Sequence, residues 1–115
     1  MKFVDPKLIG AKYDKIAHWW HQEHNHSLYG IEQIRNAIRY CEHQGTALDV
    51  GCGSGGRVFR LLADSGFTIT GIDASAEMIT LARANHPSAT LHVADIREWQ
   101  STERFDLIIA WDSIF

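Results

Sequence analysis

The chain has 115 residues, with 11 Lys+Arg against 14 Asp+Glu for a formal charge of -3, and it is 45% hydrophobic and 22% charged. This composition excludes a mainly disordered chain and suits one globular domain with a real core. No apolar run is long enough for a membrane span, the acidic balance disfavours a nucleic-acid partner, and Asp5, Lys7 and Lys12 interrupt any N-terminal leader, so a cytoplasmic location is expected.

In chain order, Asp5-Pro6 is a good helix start, because Asp caps and Pro fits the first turn. Leu8, Ile9, Tyr13, Ile16, Ala17 and Trp20 then recur at helical spacing, and the run 18–26 (HWWHQEHNH) ends that helix or follows it. A second helix is predicted from Leu28 to about Gln44, with Leu28, Ile31, Ile34, Ile38 and Cys41 on its apolar face and Gly45 at its stop. From Thr46 the pattern becomes alternating strands and helices. Strands are predicted at 46–50 (TALDV), 68–73 (TITGID), 90–95 (TLHVAD) and 105–111 (FDLIIAW). Between the first two, a glycine turn at 51–56 leads into a helix that buries Val58, Phe59, Leu61 and Leu62 and closes at Gly66. Ser75 caps a further helix carrying Met78, Ile79, Leu81 and Ala82, which His86-Pro87 stops. Strand–helix repeats of this length imply right-handed crossovers and a parallel sheet. The fold class is α/β: a Rossmann-like parallel sheet of about four strands with helices on both faces. Residues 1–45 are expected to form a helical cap and 46–115 the α/β domain.

Charge is divided unevenly. Residues 1–46 carry 6 basic and 5 acidic groups, and 47–115 carry 5 basic and 9 acidic. The carboxylate excess falls where the chain turns on glycine. In Asp49-Val50-Gly51-Cys52-Gly53-Ser54-Gly55-Gly56 a strand ends, the backbone is left bare, and a helix N-terminus presents N–H donors. Gly51-x-Gly53-x-x-Gly56 satisfies the dinucleotide fingerprint, with Asp73 beyond it, so an NAD-binding half-domain is one reading. Asp49 argues for another. A carboxylate two residues before the first glycine would repel a diphosphate and suit a ligand with positive charge, such as the ammonium and sulfonium of S-adenosylmethionine. Asp73, Asp95 and Asp112 follow at the carboxyl ends of the next three strands, where open α/β sheets bind ligands.

ALDVGCGSGGR, GIDAS, VADI and FDLIIAWDS, in this order, resemble the first four motifs of class I S-adenosylmethionine-dependent methyltransferases. The resemblance implies S-adenosylmethionine as cofactor and methyl transfer to an acceptor, with a small molecule as the default. It implies that Asp49, Gly51, Cys52, Gly53 and Gly55 hold the methionine portion, and that Asp73 binds ribose with Ala74 and Met78 beside the adenosine. Asp95 and Ile96 would bind adenine, and the backbone at Trp111 would meet the methionine amino group. The family's N-terminal helices often cover the cofactor, and Tyr13, Trp19 and Trp20 are the matching aromatics. Members usually have a seven-stranded sheet and roughly twice this length, so the edge of strand 106–111 is expected to be covered by a second copy or a partner chain. A truncated, non-catalytic binding or assembly domain is the alternative. No catalytic residue stands out; His18, His21, His24, His26 and Asp112 are possible bases. No metal site is expected, because His18, His21 and His24 drift by about 60° per step around a helix and share no face.

Overall fold

A computed structural model of the chain describes residues 6–24, 28 and 30–111, and omits the side chains of Pro6, Tyr13, Trp20, Glu23 and His24. Asp5, His26 and Asp112 therefore lie outside the described residues, as do the aromatic side chains of Tyr13 and Trp20. Two helices come first, α1 (Pro6–His24) and α2 (Ile31–Arg39). They are followed by β1 (Thr46–Val50), α3 (Gly56–Asp64), β2 (Thr68–Asp73), α4 (Ala76–Asn85), β3 (Thr90–Val93) and β4 (Leu107–Ile109). The strands form one sheet in the order β3-β2-β1-β4, with every pair parallel.

β1 and β2 have the predicted bounds, and both are buried on the two faces of the sheet along most of their length. Ser75 caps α4 by accepting the Met78 N–H at 3.2 Å, and α4 ends before His86-Pro87. Three elements are shorter than expected. α2 starts at Ile31 and not Leu28, because Gly30 has φ 81° and the Trp111 ring lies against its Cα. It ends at Arg39, where Tyr40 N–H turns back to the Ala37 carbonyl at 3.1 Å. β3 ends at Val93 because the Asp95 carboxylate accepts the Arg97 N–H at 2.9 Å and the Asp95 carbonyl takes those of Glu98 and Trp99, which curls the chain. β4 is limited to three residues, the stretch that pairs with Ala47–Asp49.

The crossovers from β1 to β2 and from β2 to β3 run the same way across the sheet. The right-handed rule then puts α3 and α4 on one face. There Phe59, Leu62 and Ala82 join Ile34 and Ile38 of α2 in a core with Ala47, Ile69 and Ile109. The β3–β4 link returns the other way and so crosses the opposite face. It carries no helix, and Trp99 and Phe105 within it pack on Leu48, Val50 and Ile72. β1 lies between strands reached in opposite directions. The sheet thus has its switch point beside β1, which is where ligands of such sheets bind at the carboxyl ends.

Candidate functional site

At the carboxyl end of β1 the chain folds back sharply. Gly51 and Cys52 both donate to the Ile72 carbonyl, at 2.8 and 3.0 Å, so the turn is anchored on β2. Gly53 and Gly55 sit in the left-handed region at φ 58° and 82°, yet for different ends. A Cβ on Gly55 would come within 2.6 Å of the Phe59 ring, so this glycine lets the turn pack on the core. A Cβ on Gly53 would meet nothing nearer than Met78 Sδ at 3.9 Å, so its surface is open to a ligand.

Asp73 ends β2 facing this turn. One carboxylate oxygen accepts the Gly53 N–H at 2.8 Å and the other the Ser75 N–H at 2.8 Å. An ionised carboxylate has about four acceptor positions, so room remains for two hydroxyls. Burial raises the Asp73 pKa, and the two N–H groups work against that rise. Asp49 is 4% exposed beneath the turn. Burial first, and the charge of Asp73 second, push its pKa up to about 8, against the pull of Arg57. Burial, followed by the charges of Asp49 and Asp73, lifts the Cys52 thiol well above the usual range. It is a poor nucleophile here and fits as a small side chain.

The remaining sequence-predicted residues divide. Met78 is buried below Gly53. Ala74 follows Asp73, and its backbone is covered by Gly10 of α1, where an added Cβ would fall 2.6 Å from the Ala74 carbonyl oxygen. Asp95 faces Arg97, with Nη2 2.7 Å and Nε 3.0 Å from one oxygen, and the bond from the Arg97 side chain holds its pKa below the ordinary value. Ile96 next to it is exposed. Trp111 turns its ring onto Gly30 and the α2 side of the core, so only its backbone is placed at the strand end.

Local patterns did not reveal two contacts. His21 Nδ1 lies 2.7 Å from Ser54 Oγ in the glycine turn, and Asp14 reaches the start of α4. The first joins residues 33 apart in the chain and the second residues 61 apart, and no short-range spacing signals either. His18 is exposed on α1. Among the described residues no group of three or more His, Cys, Asp or Glu is placed to hold a metal ion.

A buried acid held at about 8 beside a second carboxylate, around an open stretch of main chain, is a site short of positive charge. It favours a cation with hydroxyls beside it and disfavours a diphosphate.

The chain has relatives of known kind. The family model for the methyltransferase domain matches residues 47–115. A dTDP-3-amino-3,6-dideoxy-alpha-D-glucopyranose N,N-dimethyltransferase of Streptomyces fradiae is 39% identical over 70 residues, covering 61% of this chain and 27% of that protein. A ubiquinone biosynthesis O-methyltransferase of Rickettsia akari is 33% identical over 131 aligned positions, 99% of this chain and 51% of its own length. The chain thus spans about half, or less, of the length of these curated relatives. Among solved structures, a magnesium protoporphyrin IX methyltransferase from Synechocystis, with SAM bound, shares the fold. Its TM-score is 0.72 at 16% identity, over 97% of this chain and 64% of that one. A TehB-like SAM-dependent methyltransferase from Corynebacterium glutamicum is 26% identical with a TM-score of 0.64, over 90% of this chain and 54% of its own.

Proposed function

The chain belongs to the methyltransferase domain family, and on that premise we propose that it binds S-adenosylmethionine and serves methyl transfer to a small-molecule acceptor. The observation that carries this reading is the pair Asp49 and Asp73 around Gly53, with Asp49 buried and pushed up to about 8. A ligand ammonium beside Asp49 would restore its charged form, and the free acceptor positions of Asp73 match a ribose diol. In this reading Gly51, Cys52, Gly53 and Gly55 cradle the methionine portion and Ala74 and Met78 flank the adenosine. Ile96 lines the adenine end with Asp95, and the Trp111 backbone meets the amino group.

S-adenosylmethionine, when bound, supplies a methyl group already activated on a sulfonium. The chain's part is then to orient and to exclude water, and such positioning supplies about 7–11 kcal/mol. His21 is engaged by Ser54, and no general base is assigned. Residues 1–45 act as a cap on the 46–115 domain. For the acceptor, the Streptomyces relative's name specifies an amino sugar nucleotide. A small molecule of that scale is the acceptor class proposed here.

The same reading includes a cytoplasmic chain, supported by its two free cysteines. It also includes a second copy on the outer edge of β4. Support for that comes from Ile108, 61% exposed on a strand bonded on one side among the described residues. A strict monomer in sedimentation at micromolar concentration would remove the dimer. For the ligand, titration calorimetry with S-adenosylhomocysteine and with NADH decides. Binding of the first alone is expected, and tighter binding of NADH overturns the proposal.

A further inference from the structure

α1 meets the two arms of the candidate site at separate points, and the contacts close into a ring. Asp14 Oδ1 accepts the Ser75 hydroxyl at 2.5 Å and the Glu77 N–H at 3.0 Å. Ser75 is fully buried, and its own N–H donates to Asp73 at 2.8 Å. The other oxygen of Asp73 holds the Gly53 N–H at 2.8 Å. Gly53 is bonded in the chain to Ser54, whose hydroxyl lies 2.7 Å from His21 Nδ1, back on α1. Asp14 and His21 are seven residues apart, two helical turns, and therefore project from one face of α1. One rigid helix thus spans both the start of α4 and the glycine turn, and Asp73 is the link between them.

We propose that Asp14 and His21 are positioning residues for the cofactor, fixing from α1 the distance between Asp73 and the glycine turn, so that docking of α1 and binding of the ribose are coupled. Only the identity of the ligand rests on the function proposed above. The coupling itself is a property of the unliganded chain. Three features distinguish it from ordinary packing. Ser75 serves α1, α4 and Asp73 at once through its hydroxyl and its N–H. Asp14 has its pKa held below the ordinary value, by the Ser75 hydroxyl first and the Glu77 N–H second, so it caps α4 as an anion at neutral pH. And in the ring Asp73 moves away from Gly53 only by giving up the Gly53 N–H, and away from the α4 cap only by giving up the Ser75 N–H. Linkage then requires reciprocity: whatever α1 docking adds to ligand affinity, ligand adds to α1 docking.

The test compares the full chain with Asp14→Ala, Asp14→Asn and Ser54→Ala. The Asn variant keeps an oxygen that accepts from Ser75 and Glu77 and should restore what Ala loses. Ser54→Ala opens the ring at its other end with little risk to folding. Hydrogen exchange without ligand is read first. Asp14→Ala should speed exchange at the Gly53 and Ser75 amides, neither of which touches Asp14, while β1 amides at Ala47 and Leu48 stay at the wild-type rate. Ser54→Ala should act at Gly53 in the same direction. Calorimetry with S-adenosylhomocysteine is read second. Asp14→Ala should weaken binding on the order of tenfold, with Asp14→Asn near wild type, and the ligand should slow exchange in wild-type α1 by a matching factor. Unchanged exchange at Gly53 and Ser75, or a uniform rise that includes β1, overturns the proposal whatever the ligand. A wild-type chain that ignores S-adenosylhomocysteine while the exchange result holds sinks the proposed function and leaves the coupling standing.

Discussion

Asp73 ends β2 and Asp95 lies two residues beyond the end of the neighbouring parallel strand β3, and the two carboxylates are in opposite physical states. Asp73 is held by two main-chain N–H groups from different segments and shares its surroundings with Asp49, and among the described residues no cation is paired with it. Asp95 has Arg97 two residues on, with three donors within 3.2 Å, and its side chain is 1% exposed. Burial dominates the first and raises its pKa, whereas the arginine dominates the second and lowers it. A strand-end carboxylate attracts a cationic or hydroxylated ligand only if its local sequence leaves it without a side-chain cation. The β1–β2 half of the sheet is arranged that way, and the β3 half satisfies its acid internally.

The largest expected effect falls on Asp49. Its folded pKa of about 8 lies far above the unfolded value, so the folded chain binds the extra proton and gains from it below pH 4. That gain is lost as pH rises from about 4 through 8, and the unliganded protein should lose stability across this window. Asp49→Asn removes the titrating group and should flatten the profile. It should raise stability at pH 8.5 by on the order of a few kcal/mol in denaturant titration while weakening S-adenosylmethionine binding. A variant whose profile still falls between pH 4 and 8 would return the effect to Asp73. In the wild type, a cation placed beside Asp49 lowers its pKa, so binding near pH 7 should release protons. Calorimetry in buffers of different ionisation enthalpy measures this directly, and no release would mean that no cation reaches Asp49.

Asp73→Ala comes next. It removes the acceptors proposed for the ribose and unties Gly53, so the loss is that of bonds to a charged group, about 1.5–3 kcal/mol. The expected readout is a weakening of S-adenosylhomocysteine binding of roughly 10- to 150-fold. An unchanged affinity would take Asp73 out of the site and erase the contrast with Asp95.

What is legible in the sequence follows the range of the forces involved. The bounds of β1 and β2, the Ser75 cap and the His86-Pro87 stop depend on short runs set off by glycine-containing turns, a local side-chain bond and proline stereochemistry, all within a few residues. The glycine turn was equally legible, although Gly55 proved to answer to Phe59 as well. The start of α2 was hidden because its limit, the Trp111 ring on Gly30, comes from residues 81 apart in the chain. The ends of β3 and β4 were hidden because apolar character does not say where a neighbouring strand stops pairing. Asp95 was read as a second ligand carboxylate because a strand pattern does not show that Arg97 will fold back. His21 was legible only as one histidine of several; its place over Ser54 depends on how α1 crosses the helix layer.

The smallest expected effect sharpens the contrast from its other side. The Asp95 acceptors are already taken by Arg97, so Asp95→Ala removes little that a ligand could use and should change S-adenosylhomocysteine affinity by less than about threefold. Its consequence should appear in the fold instead. The depressed pKa of Asp95 means that its contribution is present above the unfolded carboxylate value and is lost as pH falls through the folded one. Acid unfolding of the wild type below about pH 4 should therefore be less steep in the variant. Arg97→Ala makes the complementary test. It should strip the guanidinium from Asp95 and leave it only the weaker pull of Lys7, and if the partner alone decides the role, the freed carboxylate should bind an adenine amino group better than the wild type does. A fall in affinity for Arg97→Ala would show instead that the turn from Asp95 to Trp99, and not its charge, is what the adenine end requires.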